Sequence, residues 1–179
     1  MSILCQAEQS TLLIVDPQER LMPSIHDAES VIRRCTQLAT AARELRIHVI
    51  GTEENPQGLG PNIASLRALC DTTLAKLHFA AVDEPGFMER LPQGRDTLVV
   101  AGCEAHVCVL QTVIRLLEAG LRVKWVADAV GSRHPEDRDA ATARARALGA
   151  DVVTTEMVLF EWLRSSEHPS FRKILGLIR

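Results

Sequence analysis

Residues 11–16 read Thr-Leu-Leu-Ile-Val-Asp, an unbroken apolar run that ends in an aspartate. A strand with one face in water alternates apolar and polar residues, and this run does not alternate. It therefore predicts a strand buried on both faces, which is typical of a parallel sheet covered by helices.

The rest of the chain alternates similar apolar runs with helical patterns. Helices are predicted at 28–45, 107–119, 135–148, 156–164 and 169–178, and further strands at 47–50, 72–77, 97–101, 123–127 and 151–154. Strand–helix alternation of this kind predicts an α/β fold with a parallel sheet and helices on both faces. We expect residues 1–179 to form a single domain, because we find no linker or repeat.

Composition narrows the class of protein. A formal net charge of −3 and scattered Lys and Arg argue against nucleic acid or an anionic membrane as a partner. No apolar run is long enough to span a bilayer, and residues 1–10 lack the features of a secretory signal. Five cysteines without a CxxC pair are expected to be reduced thiols in a cytoplasmic protein.

Three chemically active residues follow predicted strands. Asp16 follows the first strand, Lys76 lies at the end of the third, and Gly102 closes the fourth just before Cys108. Ligands of open parallel sheets bind at the carboxyl ends of the strands, so these side chains are expected to meet there. Each residue alone has an ordinary explanation: a turn aspartate, a solvated lysine and a core cysteine. Their combination predicts a catalytic site.

Cys108 lies at the apparent start of a helix. A helix N-terminus and a neighbouring ammonium both lower a thiol's pKa, and backbone N–H groups at a helix start can bind an oxyanion. A carboxylate within reach can accept the thiol proton. His106, two residues earlier, does not face Cys108 along a helical turn and is assigned to the pocket wall. No histidine or cysteine grouping has the spacing of metal ligands, so no metal or other cofactor is expected.

Three blocks together resemble the isochorismatase-like cysteine hydrolases, and especially the isochorismatase-domain-containing subgroup. They are Ile14-Val15-Asp16-Pro17-Gln18, Lys76-Leu77-His78-Phe79 and Val100-Ala101-Gly102-Cys103-Glu104-Ala105-His106-Val107-Cys108-Val109. The resemblance extends over about residues 10–179 and includes Thr52-Glu53 and the His168-Pro169-Ser170-Phe171 tail.

This resemblance implies a Rossmann-like, three-layer αβα sandwich around a six-stranded parallel sheet. It implies an Asp16–Lys76–Cys108 triad and a cis peptide bond between Cys103 and Glu104. That bond would direct the Glu104 N–H, with the Cys108 N–H, toward an oxyanion. Gln18 would line the pocket, and Phe79 is a further candidate for its wall. Homo-oligomers are common in the family.

Two differences from other members of the resembled family narrow the reaction expected of this chain. The stretch Gly51-Thr52-Glu53-Glu54-Asn55-Pro56 lacks the Asp-x-His metal motif of the family's nicotinamidases. Cys108 is present, which favours acyl transfer over the vinyl-ether chemistry of true isochorismatases. We therefore expect a metal-independent hydrolase of a small amide or carbamoyl substrate that forms a thioester acyl-enzyme. The alternative is a non-catalytic or redox-sensitive binding protein with the same fold.

Overall fold

The computed structural model describes residues 3–179 and contains a six-stranded sheet in which every neighbouring pair is parallel. The strand order is β3-β2-β1-β4-β5-β6. The strands are β1 (Ser10–Val15), β2 (His48–Glu54), β3 (Thr72–Lys76), β4 (Thr97–Cys103), β5 (Arg122–Gly131) and β6 (Asp151–Val153). The predicted α/β fold is confirmed.

Helices cover both faces of this sheet. They are α1 (Ala28–Glu44), α2 (Pro56–Leu59), α3 (Ala64–Arg67), α4 (Leu110–Glu118), α5 (Pro135–Ala147), α6 (Thr155–Leu163) and α7 (Phe171–Leu175). A π-helical turn, Ala105–Val109, precedes α4. No helix within residues 3–179 is both long and apolar enough to cross a membrane.

The apolar run of β1 lies at the centre of two cores. Leu12 and Ile14 pack into the core that contains α1, α6 and α7, whereas Leu13 and Val15 pack into the core beneath α4 and α5. All four side chains are fully buried. Burial of each contributes about 1.5–3 kcal/mol relative to exposure, which explains why residues 12–15 are all apolar.

Several element boundaries differ from the sequence prediction: β5, for example, continues to Gly131 instead of ending at residue 127. Three further differences lie near the site. Strand β2 extends to Glu54 instead of ending at Ile50, because its polar end pairs with both neighbours: Thr52 lies beside Val15, and Glu54 lies beside Lys76. Strand β4 continues through Gly102 to Cys103. The helix predicted from residue 107 instead begins as the π-helical turn at 105–109.

The strand order places a crevice between β1 and β4. The chain builds outward from β1 through β2 to β3, then returns to β4 on the other side of β1. Loops after β1 and β4 therefore diverge at their carboxyl ends, where α/β proteins bind ligands. Gly102 is required here: it has φ 115°, and a Cβ atom would lie 2.0 Å from the Val15 carbonyl oxygen.

Candidate active site

The three residues expected at the carboxyl rim do meet. Lys76 Nζ lies 2.8 Å from Asp16 Oδ2, and both side chains are completely buried. One side-chain ligand atom each from Asp16, Glu54 and Cys108 lies within 4.8 Å of the other two. The site thus gathers a thiol, two carboxylates and an ammonium from the ends of β1, β2 and β3 and the turn after β4.

Asp16 is held at the crevice by its backbone and by Thr52. Its φ of 49° places it in the left-handed region, which aspartate tolerates better than most residues, and its N–H donates to the Thr52 carbonyl. Oδ1 accepts a hydrogen bond from Thr52 Oγ1 at 2.7 Å. Burial raises the pKa of Asp16, and Lys76 and Thr52 only partly oppose this rise. A carboxylate of raised pKa is a stronger base than an exposed one.

Lys76 is surrounded by oxygen atoms. Nζ lies 2.7 Å from Glu54 Oε2 and 3.2 Å from the Phe79 carbonyl oxygen, in addition to its contact with Asp16. Burial lowers the pKa of Lys76, but Asp16 and Cys108 raise it more, so its pKa lies above the ordinary value. The lysine is therefore an ammonium and holds the two carboxylates together.

Cys108 lies within the π-helical turn and is 7% exposed. The sequence led us to expect a lowered thiol pKa, and this expectation is wrong. Burial and the adjacent Asp16 carboxylate raise the pKa of Cys108, and Lys76 only partly offsets them. Lys76 is shared between two carboxylates, so it cannot act mainly on the sulfur. The resting residue is a neutral thiol.

The Cys103–Glu104 peptide bond is cis, as the resemblance implies. Cys103 is fully buried at the end of β4. The Glu104 carbonyl accepts hydrogen bonds from the N–H groups of Val107 and Val109, which anchors the turn on either side of Cys108. The Glu104 carboxylate accepts from Arg133 Nε at 2.8 Å.

The three residues expected to line a pocket occupy different positions. Gln18 is fully buried; its Nε2 donates to the carbonyls of Glu54 and Gly60, and its Oε1 accepts from the Glu54 N–H, so it fixes the end of β2. Phe79 is 51% exposed and contacts Lys76 through its backbone. His106 Nδ1 is 2.9 Å from Ser132 Oγ, which directs the ring toward β5.

Sequence reasoning missed two residues of this site, Thr52 and Glu54. Both belong to the stretch that was considered for its missing metal motif and, at Thr52-Glu53, for the family resemblance, but not for contacts with the triad. Glu54 lies in register with Lys76 on the adjacent strand, which brings their side chains together. The available signal was a polar Thr-Glu-Glu run directly after an apolar strand.

Asp16, Glu54 and Cys108 also have the donor types of a metal site. The Lys76 ammonium, however, lies 2.8 Å from one carboxylate and 2.7 Å from the other. A divalent ion bound by both would have to displace this buried lysine or face its positive charge at close range. The site therefore does not fit a metal ion while Lys76 is charged.

The isochorismatase domain model matches residues 10–157. Isochorismatase domain-containing protein 2A of Mus musculus is 34% identical over 175 residues, which cover 96% of this chain and 84% of that protein. Isochorismatase domain-containing protein 2 of Danio rerio is 36% identical over 170 residues, with 94% and 86% covered.

Solved structures show the same architecture. MAR1 ribonuclease from Caenorhabditis elegans has a TM-score of 0.91 and 35% identity, covering 97% of this chain and 91% of its own. YcaC from Pseudomonas aeruginosa, solved with hexane-2,5-diol and covalent acrylamide, has a TM-score of 0.91 and 27% identity, with 99% and 92% covered. YcaC from Escherichia coli, described as an octameric hydrolase of unknown specificity, shares the fold at 22% identity and a TM-score of 0.87, with 98% and 96% covered.

Proposed function

The chain belongs to the isochorismatase family, and from this premise we propose that it is a cysteine hydrolase of small amide or carbamoyl compounds. The observation that carries the proposal is the convergence of Asp16, Lys76 and Cys108 at the carboxyl ends of the strands. A base, a cation and a nucleophile in one crevice are the components of covalent acyl transfer.

In the first step, Asp16 accepts the proton of the Cys108 thiol as the sulfur attacks the substrate carbonyl carbon. Asp16 suits this role because burial raises its pKa and its carboxylate lies within hydrogen-bond reach of the Cys108 thiol. The carbonyl oxygen becomes an oxyanion, which the N–H groups of Glu104 and Cys108 stabilise.

In the second step, protonated Asp16 returns its proton to the leaving nitrogen as the carbon–nitrogen bond breaks. An amine or ammonia leaves, and the acyl group remains on the Cys108 sulfur as a thioester. Water, deprotonated by Asp16, then attacks the thioester and releases the acid and the free thiol. Lys76 keeps Asp16 in place throughout and stabilises its ionised form.

Two observations support this chemistry. The similar Pseudomonas aeruginosa YcaC binds acrylamide covalently, so a protein of this fold reacts with a small electrophile that carries an uncharged amide. The position of Lys76 between the two carboxylates favours metal-independent catalysis.

The test is a panel of small amides, assayed for release of ammonia or amine. We expect the wild type to hydrolyse at least one, Cys108→Ala to hydrolyse none, and Cys70→Ala, which removes another incompletely buried thiol, to remain active. Activity of Cys108→Ala would contradict the covalent mechanism. Lack of activity in the wild type would favour the non-catalytic alternative, with which the raised pKa of the thiol is compatible.

We further propose that residues 1–179 act as one domain in a homo-oligomer. Leu77 and Phe79 are 74% and 51% exposed beside the site, and apolar side chains so exposed are suited to contact with another subunit. Five free cysteines fit the reducing cytoplasm. The substrate is proposed to be a small molecule, not a nucleic acid or a membrane. Light scattering of the wild type and of Leu77→Asp would test the assembly: loss of the oligomer in the variant supports it, and a monomeric wild type refutes it.

A further inference from the structure

Lys76 has no donor to spare for a substrate. An ammonium carries three N–H groups, and three oxygen atoms surround Nζ: Asp16 Oδ2 at 2.8 Å, Glu54 Oε2 at 2.7 Å and the Phe79 carbonyl at 3.2 Å. The protein itself thus takes up the hydrogen-bonding capacity of this lysine. A substrate carboxylate or phosphate would have to compete with a preformed, buried ion pair to reach it.

The charges around the sulfur do not cancel. Asp16 and Glu54 are two carboxylates against the single ammonium of Lys76, and an oxygen of each lies within 4.8 Å of Cys108 Sγ. Arg133, after β5 on the same rim, is paired with Glu104. The centre therefore has a net charge of −1 when the thiol is neutral. Transfer of the thiol proton to Asp16 leaves this sum unchanged.

From this arrangement we propose that Glu54 is a specificity-determining residue, which restricts the site to uncharged or cationic acyl substrates and rejects anionic ones. The inference rests on the proposed function in taking Cys108 as the attacking group. It specifies the charge of the substrate, which the proposed function leaves open. Without Glu54, Lys76 would balance Asp16 alone and the centre would be neutral.

A pair of alkylating reagents tests the charge preference directly. Iodoacetamide and iodoacetate have nearly the same shape and react by the same displacement: the sulfur–carbon bond forms, the carbon–iodine bond breaks and iodide leaves. Only iodoacetate is anionic. Both rates are proportional to the fraction of Cys108 present as thiolate. At one pH this fraction cancels from their ratio, so a change in the Cys108 pKa does not affect the ratio. Peptide mass spectrometry assigns modification to Cys108 and not to the other thiols.

We expect wild-type Cys108 to prefer iodoacetamide over iodoacetate roughly tenfold more strongly than the uncharged thiol 2-mercaptoethanol does, as one net charge a few ångströms away requires. Glu54→Gln should remove most of this excess preference. The matched control is Glu53→Gln, which removes the same charge one residue away. Glu53 bonds Arg67 and the Asn62 N–H instead of Lys76, so its variant should keep the wild-type ratio.

The possible outcomes are separable. Equal rate ratios for wild-type Cys108 and for 2-mercaptoethanol would overturn the charge preference while leaving Cys108 as a nucleophile, and this result needs no variant to fold. Failure of both reagents to modify Cys108 would overturn the proposed function and the inference with it. An anionic amide hydrolysed faster than its neutral analogue would also refute the inference, as would Cys108-dependent cleavage of a short RNA, whose phosphodiesters are anionic.

Discussion

Replacement of Lys76 by methionine should strongly destabilise the protein at neutral pH. The substitution keeps an unbranched side chain of similar length but removes the charge and the N–H donors of Nζ. It leaves the carboxylates of Asp16 and Glu54 buried near each other without their shared cation. Each lost contact, at 2.8 and 2.7 Å, represents roughly 6 kcal/mol of Coulomb attraction at an effective dielectric of about 20.

Much of that attraction is offset, because burial of the lysine also costs desolvation energy. Removal of one partner from a buried ion pair typically costs about 3–5 kcal/mol, and we expect this loss in the free energy of unfolding. A typical domain is stable by about 5–15 kcal/mol, so the variant should fold but unfold at much lower urea concentration.

The loss should shrink as the pH falls. In the variant, the Lys76 charge that opposes the effect of burial on Asp16 is gone, so the folded-state pKa of the Asp16 carboxyl rises further above its unfolded value. Stability from such groups is present below the unfolded pKa and lost as the pH rises through the folded pKa. Urea denaturation at pH 7 and pH 5 measures this trend, and Lys76→Met/Glu54→Gln should recover part of the loss at pH 7. A Lys76→Met cost below about 1 kcal/mol at pH 7, or one that grows on acidification, would refute the reasoning.

Three further predictions concern the site and its support. Gly102→Ala should greatly reduce folded yield, because its Cβ would lie 2.0 Å from a carbonyl oxygen of β1. The control is Gly120→Ala, which is also at positive φ but whose Cβ would have no heavy atom of residues 3–179 within 4 Å, so it should lower the free energy of unfolding by only about 1 kcal/mol. Equal thermal midpoints for the two variants would contradict this. Thr52→Val should lower the free energy of unfolding by about 1–3 kcal/mol at pH 7 and by less at lower pH. It removes a hydrogen bond from the buried Asp16 carboxylate and so raises the pKa of Asp16 further. A difference in urea midpoint that does not change with pH would argue against this. Asp16→Asn should shift the pH profile of Cys108 alkylation to lower pH, because a carboxylate that raises the thiol pKa is gone; an upward shift would be inconsistent with the geometry.

Much of the fold could be predicted because its signals are local. The apolar run at 11–15 must be buried on both sides, and this requirement alone indicates a covered parallel sheet. Asp16, Lys76 and Cys108 follow from the same logic, since parallel strands bring their carboxyl ends to one rim. The meeting of Asp16 and Lys76 therefore needed no knowledge of loop conformation, whereas the position of Cys108 depends on the π-helical turn after β4.

The features that were missed depend on pairing between distant residues. Strand β2 continues through Thr52 and Glu54 because Asp16 and Lys76 form hydrogen bonds with these polar side chains. In the sequence alone, the polar residues after Ile50 indicate that the strand has ended. The pKa of the Cys108 thiol was expected to fall because the helix start and Lys76 were considered without the burial of the sulfur and the charge of the carboxylates. Its direction depends on burial and on how many carboxylates share the lysine, which the sequence does not display.

The role of Cys108 as the nucleophile is tested by the reaction of the protein with an uncharged activated ester such as p-nitrophenyl acetate, followed by rapid quenching. We expect a burst of p-nitrophenolate equal to about one per active chain, with the acetyl group on Cys108 in the mass spectrum and no burst from Cys108→Ala. An acetyl group that accumulates on another residue, or a burst that persists in Cys108→Ala, would show that the nucleophile is not this sulfur.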